Sequence, residues 1–241
     1  MASPEFRAVP DAGRLMARLA AGQPVPRTSG ADGLDKTLFL DVNHFAVVTG
    51  WLHSPMYDYA TYGIALFALL LVAGYWQARR SGVTAVAAAF WAGAGTVLAV
   101  AVTQPVNHAV AEARPWQSLP HALILAGHAA DFSFPSDHAV MAGAVTAGLL
   151  IYSRRLGIVA AVAAVLLCLA RVYIGAHYPQ DVAAGLLLGA AVVVISYLIV
   201  RLPLRWLVGW LARTPLRPLV RPAAGWSDRR QPGPRAAVST M

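Results

Sequence analysis

One cysteine, Cys168, occurs in the whole chain, so no intrachain disulfide can form; the thiol lies inside an apolar run, the setting of a small core residue. Charge is scarce as well. Asp, Glu, Lys and Arg make up 12% of the 241 residues, against roughly 25% in ordinary soluble domains. Set beside 58% hydrophobic residues, that shortfall excludes a typical water-soluble domain and points to a chain embedded in lipid. An apolar leader is missing too: Met1 to Arg27 carries Arg, Pro and Asp with no apolar core, so no signal peptide is expected and insertion falls to internal helices. The apolar runs leave no room for a second soluble domain. Acidic residues are outnumbered, giving a formal net charge of +8. The arginines cluster at helix ends and in the tails, a distribution suited to anionic lipid headgroups, and no nucleic-acid partner is expected.

The apolar runs define an all-α, polytopic membrane helix bundle. Residues 1–36 read as a weakly ordered tail with a short helix over Asp11–Ala21. Residues 37–53 set Leu38, Leu40, Phe45, Val48 and Leu52 among Asp41, Asn43 and His44, too polar for a span and suited to an amphipathic helix at the interface. Five spans follow: Tyr59–Trp76, Val83–Thr103, His138–Tyr152, Leu156–Tyr173 and Val182–Val200; the third is short for a span, with Ser136 and Asp137 available to extend it. With the interfacial helix these make six helices in a domain over 37–203, followed by a basic Pro- and Arg-rich tail over 204–241. Small residues such as Ala92-Gly93-Ala94-Gly95, and Gly185 with Gly189, permit close helix approach; a plain Ala/Gly bias in composition is the alternative. Arg79-Arg80, Arg154-Arg155, and Arg201 with Arg205 fall on one side if five helices alternate. The positive-inside rule makes that side cytoplasmic and puts loop 104–135 and turn 172–181 outside. The basic N-terminal tail then lies outside as well, against the rule, and the short loops are given precedence.

Three polar clusters sit at ends of these apolar segments: Arg114-Pro115, Phe134-Pro135-Ser136-Asp137-His138, and Arg171 through Asp181. Polar groups so placed in a membrane protein mark function. Arg171 closes the fourth span and, always charged, needs an anion. Pro179 suits a first helical turn; His177 then stands just before the fifth span and Asp181 lies within its first turn. A carboxylate there can accept one ring N–H and leave the other nitrogen free to attack. A lone histidine is more often a hydrogen-bonded structural residue, but with Arg171, Asp181 and the second cluster beside it the nucleophile is the better reading. Ser136 is placed to cap the third span, and its hydroxyl with the following N–H groups forms an anion site; a plain N-cap is compatible with this. His138 can protonate a leaving oxygen, and Arg114 supplies a second guanidinium fork. Two arginines, a helix N-terminus and two histidines describe phosphoryl transfer through a phosphohistidine, driven mostly by electrostatic stabilisation. His121, His128 and Asp131 in the long loop match no zinc spacing and are expected to form a loop network or touch headgroups. No metal and no other cofactor is required.

Arg114-Pro115, Pro135-Ser136-Asp137-His138, and Arg171 with five residues to His177 and three more to Asp181 resemble the three signatures of the type 2 phosphatidic acid phosphatase (PAP2) superfamily. Within it, Asp137 in place of the usual glycine, in the run His128 to His138, is most similar to the bacitracin-resistance type of undecaprenyl-pyrophosphate phosphatase. The resemblance covers roughly residues 37–200, including Leu38-Phe39 and Asn43. It implies His177 as nucleophile, Asp181 as its partner, His138 as general acid, and Arg114, Arg171, Ser136 and the backbone at Asp137 as holders of the transferred group. Two positions depart from the pattern. Asn107 stands where the superfamily has lysine, adding a hydrogen-bond donor without charge to the substrate-binding set, and Ala170 stands where serine usually precedes the arginine.

The implied substrate is a polyprenyl diphosphate lipid in a bacterial cytoplasmic membrane, hydrolysed at the extracytoplasmic face during recycling of the cell-wall carrier. Other lipid phosphates are the second possibility: phosphatidylglycerol phosphate, phosphatidate or a prenyl-phosphoryl sugar phosphate. A catalytically silent lipid-binding or transport protein is the third; only Asn107 points to it. The sequence sets no oligomeric state.

Overall fold

The computed structural model describes residues 33–220. The proposed helix at Asp11–Ala21, most of the N-terminal tail and the end of the C-terminal tail lie outside the described residues. Nine helices are described: α1 Gly33–Val48, α2 His53–Tyr62, α3 Ile64–Ser81, α4 Val83–Val110, α5 Pro115–Ser118, α6 Asp137–Leu150, α7 Arg154–Tyr173, α8 Pro179–Leu211 and α9 Arg217–Val220. A 3-10 turn, Gly50–Leu52, links α1 to α2. No strand occurs among the described residues.

The span count differs from the expected five. By length and composition α4, α7 and α8 are each fit to cross a membrane, and α2 with α3 forms a fourth, bent by 49°. The bend falls inside the expected first span, Tyr59–Trp76. A Cβ on Gly63 would lie 2.4 Å from the Tyr59 carbonyl, so only glycine fits the break. Helix α6 has 14 residues, short of the roughly 20 that cross a hydrocarbon core. It lies between α4, α7 and α8, which face it with protein instead of lipid. Helix α4 runs to Val110, past the expected Thr103, and α8 runs to Leu211, past Val200. Both continue through a proline, Pro105 and Pro203. The expected domain edges at 36/37 and 203/204 therefore fall inside α1 and α8.

Helix α1 buries Asp35, Phe39, Asn43 and Ala46, spaced to share one face, and exposes Leu38, Leu40, Phe45, Val47 and Val48. A helix is thus present where the interfacial helix is expected, shifted toward the N-terminus, and it ends at Val48 rather than 53. His53 Nε2 lies 2.8 Å from the Ala46 carbonyl, which closes the helix end.

Helices α6 and α8 form the most extensive contact in the bundle, and glycine is the reason. A Cβ at Gly189 would lie 2.0 Å from the Val140 carbonyl oxygen, and one at Gly143 would lie 2.2 Å from that of Leu186. A Cβ at Gly185 would be 2.8 Å from the Ser136 carbonyl. Backbone meets backbone there, so the small residues at 185 and 189 serve packing. Gly93 has nothing within 4 Å of its would-be Cβ and has no packing role.

The chain turns at 82 and 151–153 at one end of the bundle and at 111–136 and 174–178 at the other. At the first end Arg79 stacks 4.6 Å over the Trp76 ring and donates to the Pro218 carbonyl at 2.5 Å, while the Tyr75 hydroxyl bonds the Leu219 carbonyl. Arg79-Arg80 and Arg154-Arg155 are all at this end, and all three polar clusters are at the other.

Overpacking costs about 1–3 kcal/mol, whereas Gly→Ala inside an unobstructed helix gains up to about 1 kcal/mol. Gly189→Ala is therefore expected to lower the thermal unfolding midpoint of the detergent-purified protein by several degrees. Gly93→Ala is expected to leave it unchanged or raise it. Scanning fluorimetry of the two variants side by side checks the sign.

Candidate active site

The end of α7 sets the distance between cation and imidazole. The Ala176 N–H bonds the Arg171 carbonyl at 3.1 Å and the Gly175 N–H bonds that of Val172 at 3.0 Å, the paired bonds of a Schellman stop. The motif needs a left-handed residue after the cap, and Gly175 has φ 74°. A Cβ there would also meet Ile124 Cδ1 at 2.7 Å. The chain leaves this turn directly into His177 and Tyr178, and α8 begins at Pro179 with Asp181 reaching back to accept the Tyr178 N–H at 2.8 Å. Helix stop and helix start thus bring Arg171, His177 and Asp181 together.

His177 is 2% exposed and Asp181 0%. Nδ1 of His177 lies 2.9 Å from the Ser133 carbonyl oxygen and 3.6 Å from Asp181 Oδ2. A carbonyl only accepts, so Nδ1 carries the proton and Nε2 keeps its lone pair. The expectation that Asp181 takes the ring N–H is corrected: the closer acceptor is a backbone oxygen. Asp181 Oδ2 is engaged by the Tyr178 N–H and by the Ser133 hydroxyl at 2.5 Å. Asp181 therefore holds Ser133, whose carbonyl holds His177.

Nε2 faces two guanidiniums, Arg171 Nη2 at 3.0 Å and Arg114 Nη1 at 3.4 Å. Burial, then the charges of Arg171 and Arg114, hold the His177 imidazole neutral well below its usual titration range. Arg114 comes from the start of α5; its Nη1 also donates to the Ala176 carbonyl at 2.9 Å. Its Nε and Nη2 bond Asp131 Oδ1 at 3.1 and 2.8 Å. Arg171 donates from Nη1 to the Ala60 carbonyl at 3.4 Å, and its Nε is buried without a hydrogen-bond partner among the described residues. His138, at the head of α6, is within electrostatic range of both arginines and of His177.

Ser136 stands at the N-cap of α6 with extended backbone, but its side chain makes no cap bond. Its Oγ is fully buried and unpartnered among the described residues, as is Asp137 Oδ1. The expected N-cap role is corrected, and the hydroxyl is left with its bonding capacity unused. Its backbone N–H is engaged, donating to the Asp181 carbonyl at 3.1 Å. Asn107, expected among the substrate-binding residues, donates instead to the carbonyls of Phe132 at 3.2 Å and Phe134 at 3.0 Å. Its amide clamps the segment carrying Ser133 from both sides of that residue.

Three residues outside the sequence-level set join the site. Ser133 is flanked by the motif that signals the turn, but its role runs through a carbonyl that no side-chain pattern reveals. Asp131 pairs with Arg114. Asn43 on α1 forms a reciprocal pair with the backbone of Leu123, 2.7 Å from Nδ2 to the carbonyl and 3.0 Å from the N–H to Oδ1. Leu125 and Ala126 in turn bond the Ile174 carbonyl, so α1 braces the loop lying over the Gly175 turn. His128 packs against Trp116 with the rings tilted, centroids 4.7 Å apart. Among the described residues no three His, Cys, Asp or Glu side chains gather as a metal-binding group.

A neutral imidazole with its lone pair turned toward two guanidiniums, at one end of an apolar helix bundle, has the make-up of a membrane-embedded phosphate-transfer site. The sequence pattern of the PAP2 superfamily matches residues 88–204. An undecaprenyl-diphosphatase of Sulfolobus acidocaldarius is 32% identical over 171 residues, 68% of this chain and 77% of that protein. The undecaprenyl-diphosphatase BcrC of Bacillus subtilis is 30% identical over 155 residues, 62% of this chain and 74% of that protein. A solved transmembrane PAP2-type phosphatidylglycerolphosphate phosphatase from Bacillus subtilis is 19% identical, with TM-score 0.46 over 83% of this chain and 94% of that one. The chain belongs to the PAP2 superfamily and is a multi-pass membrane hydrolase of that family.

A depressed folded-state pKa means that the unfolded chain binds the His177 proton first, so this residue's contribution to stability is lost as pH falls below about 6.5. In the detergent-solubilised protein without phosphate, the ring resonances of His177, assigned by their loss in His177→Gln, are expected to stay those of a neutral, Nδ1-protonated imidazole as pH is lowered through 6.5. A ring titrating at the ordinary value would contradict the buried geometry.

Proposed function

We propose that this chain removes the terminal phosphate of an undecaprenyl-type diphosphate, giving the lipid monophosphate and inorganic phosphate through a phosphohistidine on His177. The observation that carries the reading is the pairing at His177: Nδ1 pinned by the Ser133 carbonyl, Nε2 aimed between Arg171 and Arg114. The lone pair attacks the terminal phosphorus, and the P–O bond to the bridging oxygen breaks as the P–N bond forms. His138 protonates the departing lipid phosphate. Water then attacks the phosphohistidine, His138 takes its proton, and the P–N bond breaks to release phosphate and restore Nε2. Arg114, Arg171, the Ser136 hydroxyl and the backbone at Asp137 hold the transferring oxygens, where developing charge is stabilised most.

Two undecaprenyl-diphosphatases among the similar proteins support this substrate over other lipid phosphates. The short arginine-rich turns lie at the end of the bundle opposite the site. By the positive-inside rule this arrangement supports a site at the extracytoplasmic face of a bacterial cytoplasmic membrane, the face at which spent carrier lipid would be recycled for cell-wall synthesis.

The test is phosphate release by the purified protein in EDTA from a panel of C55 diphosphate, phosphatidylglycerol phosphate, phosphatidate and a prenyl-phosphoryl sugar phosphate. Fastest turnover is expected on the C55 diphosphate. His177→Ala is expected to lose turnover and the acid-labile phosphoenzyme together, and His138→Ala to slow turnover by about 10²–10⁴-fold. Preference for another panel member reassigns the substrate. A strict divalent-ion requirement, or parental turnover by His177→Ala, sinks the histidine mechanism.

A further inference from the structure

We propose that Asp131 is the positioning residue of Arg114: it grips one edge of the guanidinium so that the opposite corner points at the phosphoryl group. The proposal rests on the phosphatase reading of this site. Arg114 has five N–H groups in a rigid plane, so fixing one edge fixes the aim of the rest. Asp131 takes the Nε and Nη2 edge with its carboxylate, at 3.1 and 2.8 Å, and adds its own backbone carbonyl to Nε at 3.3 Å. Nη1 is then directed inward, one hydrogen on the Ala176 carbonyl and the other toward His177 Nε2. That last contact is the one an incoming phosphate oxygen replaces. The remaining Nη2 hydrogen, on the edge shared with Nη1, completes a two-point grip on phosphate.

The burial of the two partners separates aim from stability. The Arg114 side chain is 7% exposed and that of Asp131 53%. Ion pairs with one partner in solvent contribute at most about 1 kcal/mol, so the chain folds without Asp131. Aim is costlier to lose: a displacement of about 1 Å in a group serving the reaction can cost about 10²-fold in rate. Asp131 also offsets the charge of a buried cation that cannot shed its proton. Its neighbours on the same loop are engaged elsewhere, His128 on Trp116 and Ser133 on Asp181.

The experiment compares full-length Asp131→Ala, Asp131→Asn, Arg114→Ala and the Arg114→Ala/Asp131→Ala double variant in detergent, each checked for its melting midpoint. Inorganic phosphate binding by calorimetry and turnover of the C55 diphosphate are the readouts. Asp131→Ala is expected to weaken phosphate binding and lower kcat/KM by about 10–100-fold, with the midpoint within a few degrees of the parent. Asp131→Asn keeps an acceptor oxygen and is expected to recover most of both. The double variant should be no worse than Arg114→Ala, since Asp131 acts only through that side chain. Parental binding by Asp131→Ala, equal losses in the Ala and Asn variants, or additive losses in the double variant overturns the proposal. Wild-type turnover judges the phosphatase reading separately, and phosphate binding reads the Asp131 effect whichever lipid proves to be the substrate.

Discussion

An imidazole has one lone pair to offer, and the Ser133 carbonyl decides which ring nitrogen keeps it. The other features of the site follow from that hydrogen bond. With Nδ1 protonated and fixed, Nε2 can only face the arginines, and the arginines in turn make protonation of the ring unfavourable. In the proposed mechanism this buried base, kept neutral by adjacent cations, is the nucleophile, and the same cations attract its anionic target. Under that proposal one arrangement serves both ends without conflict, since the guanidinium hydrogens now turned toward Nε2 pass to the phosphate oxygens.

That hydrogen bond depends on backbone packing far from the chemistry. Ser133 lies in the loop entering α6, and His177 in the loop entering α8. The two loops keep register because α6 and α8 touch along Gly143, Gly185 and Gly189 and because the Ser136 N–H bonds the Asp181 carbonyl at 3.1 Å. Asn107 on α4 then clamps the Ser133 segment from behind. Three helices thus converge on one carbonyl oxygen. The short α6 fits this role: enclosed by its neighbours, it answers to their geometry and not to bilayer thickness.

Much of this was legible in the sequence, and the parts that were not share a cause. Membrane helices announce themselves by composition, so the all-helical architecture and the location of the polar clusters were readable. Charged and aromatic side chains in motif spacing identified Arg114, Arg171, His177 and Asp181 as a group, and the structure brings them together. Boundaries were harder. The bend at Gly63 and the extensions of α4 and α8 through Pro105 and Pro203 depend on contacts that hydropathy does not encode. Interactions made by the main chain were invisible: the Ser133 carbonyl, the Leu123 backbone held by Asn43, the carbonyls held by Asn107. Asn107 was read from its position in the motif as a ligand for the substrate, and its bonds to the Phe132 and Phe134 carbonyls of the adjacent loop were not foreseen. Asp131 was expected in a loop network or at lipid headgroups, and its partner Arg114 was not named, since an acidic residue in a loop does not reveal which cation will lie beneath it.

The turn that closes α7 works as a ruler. Because its two hydrogen bonds and its left-handed glycine admit one path only, the number of residues between Arg171 and His177 is itself a dimension of the molecule, as fixed as a bond length. Side chains along that stretch can be exchanged for others that fill the same space. Insertions and deletions are not tolerated, for a single added residue would swing the ring out from under its cations while leaving every functional group in the chain.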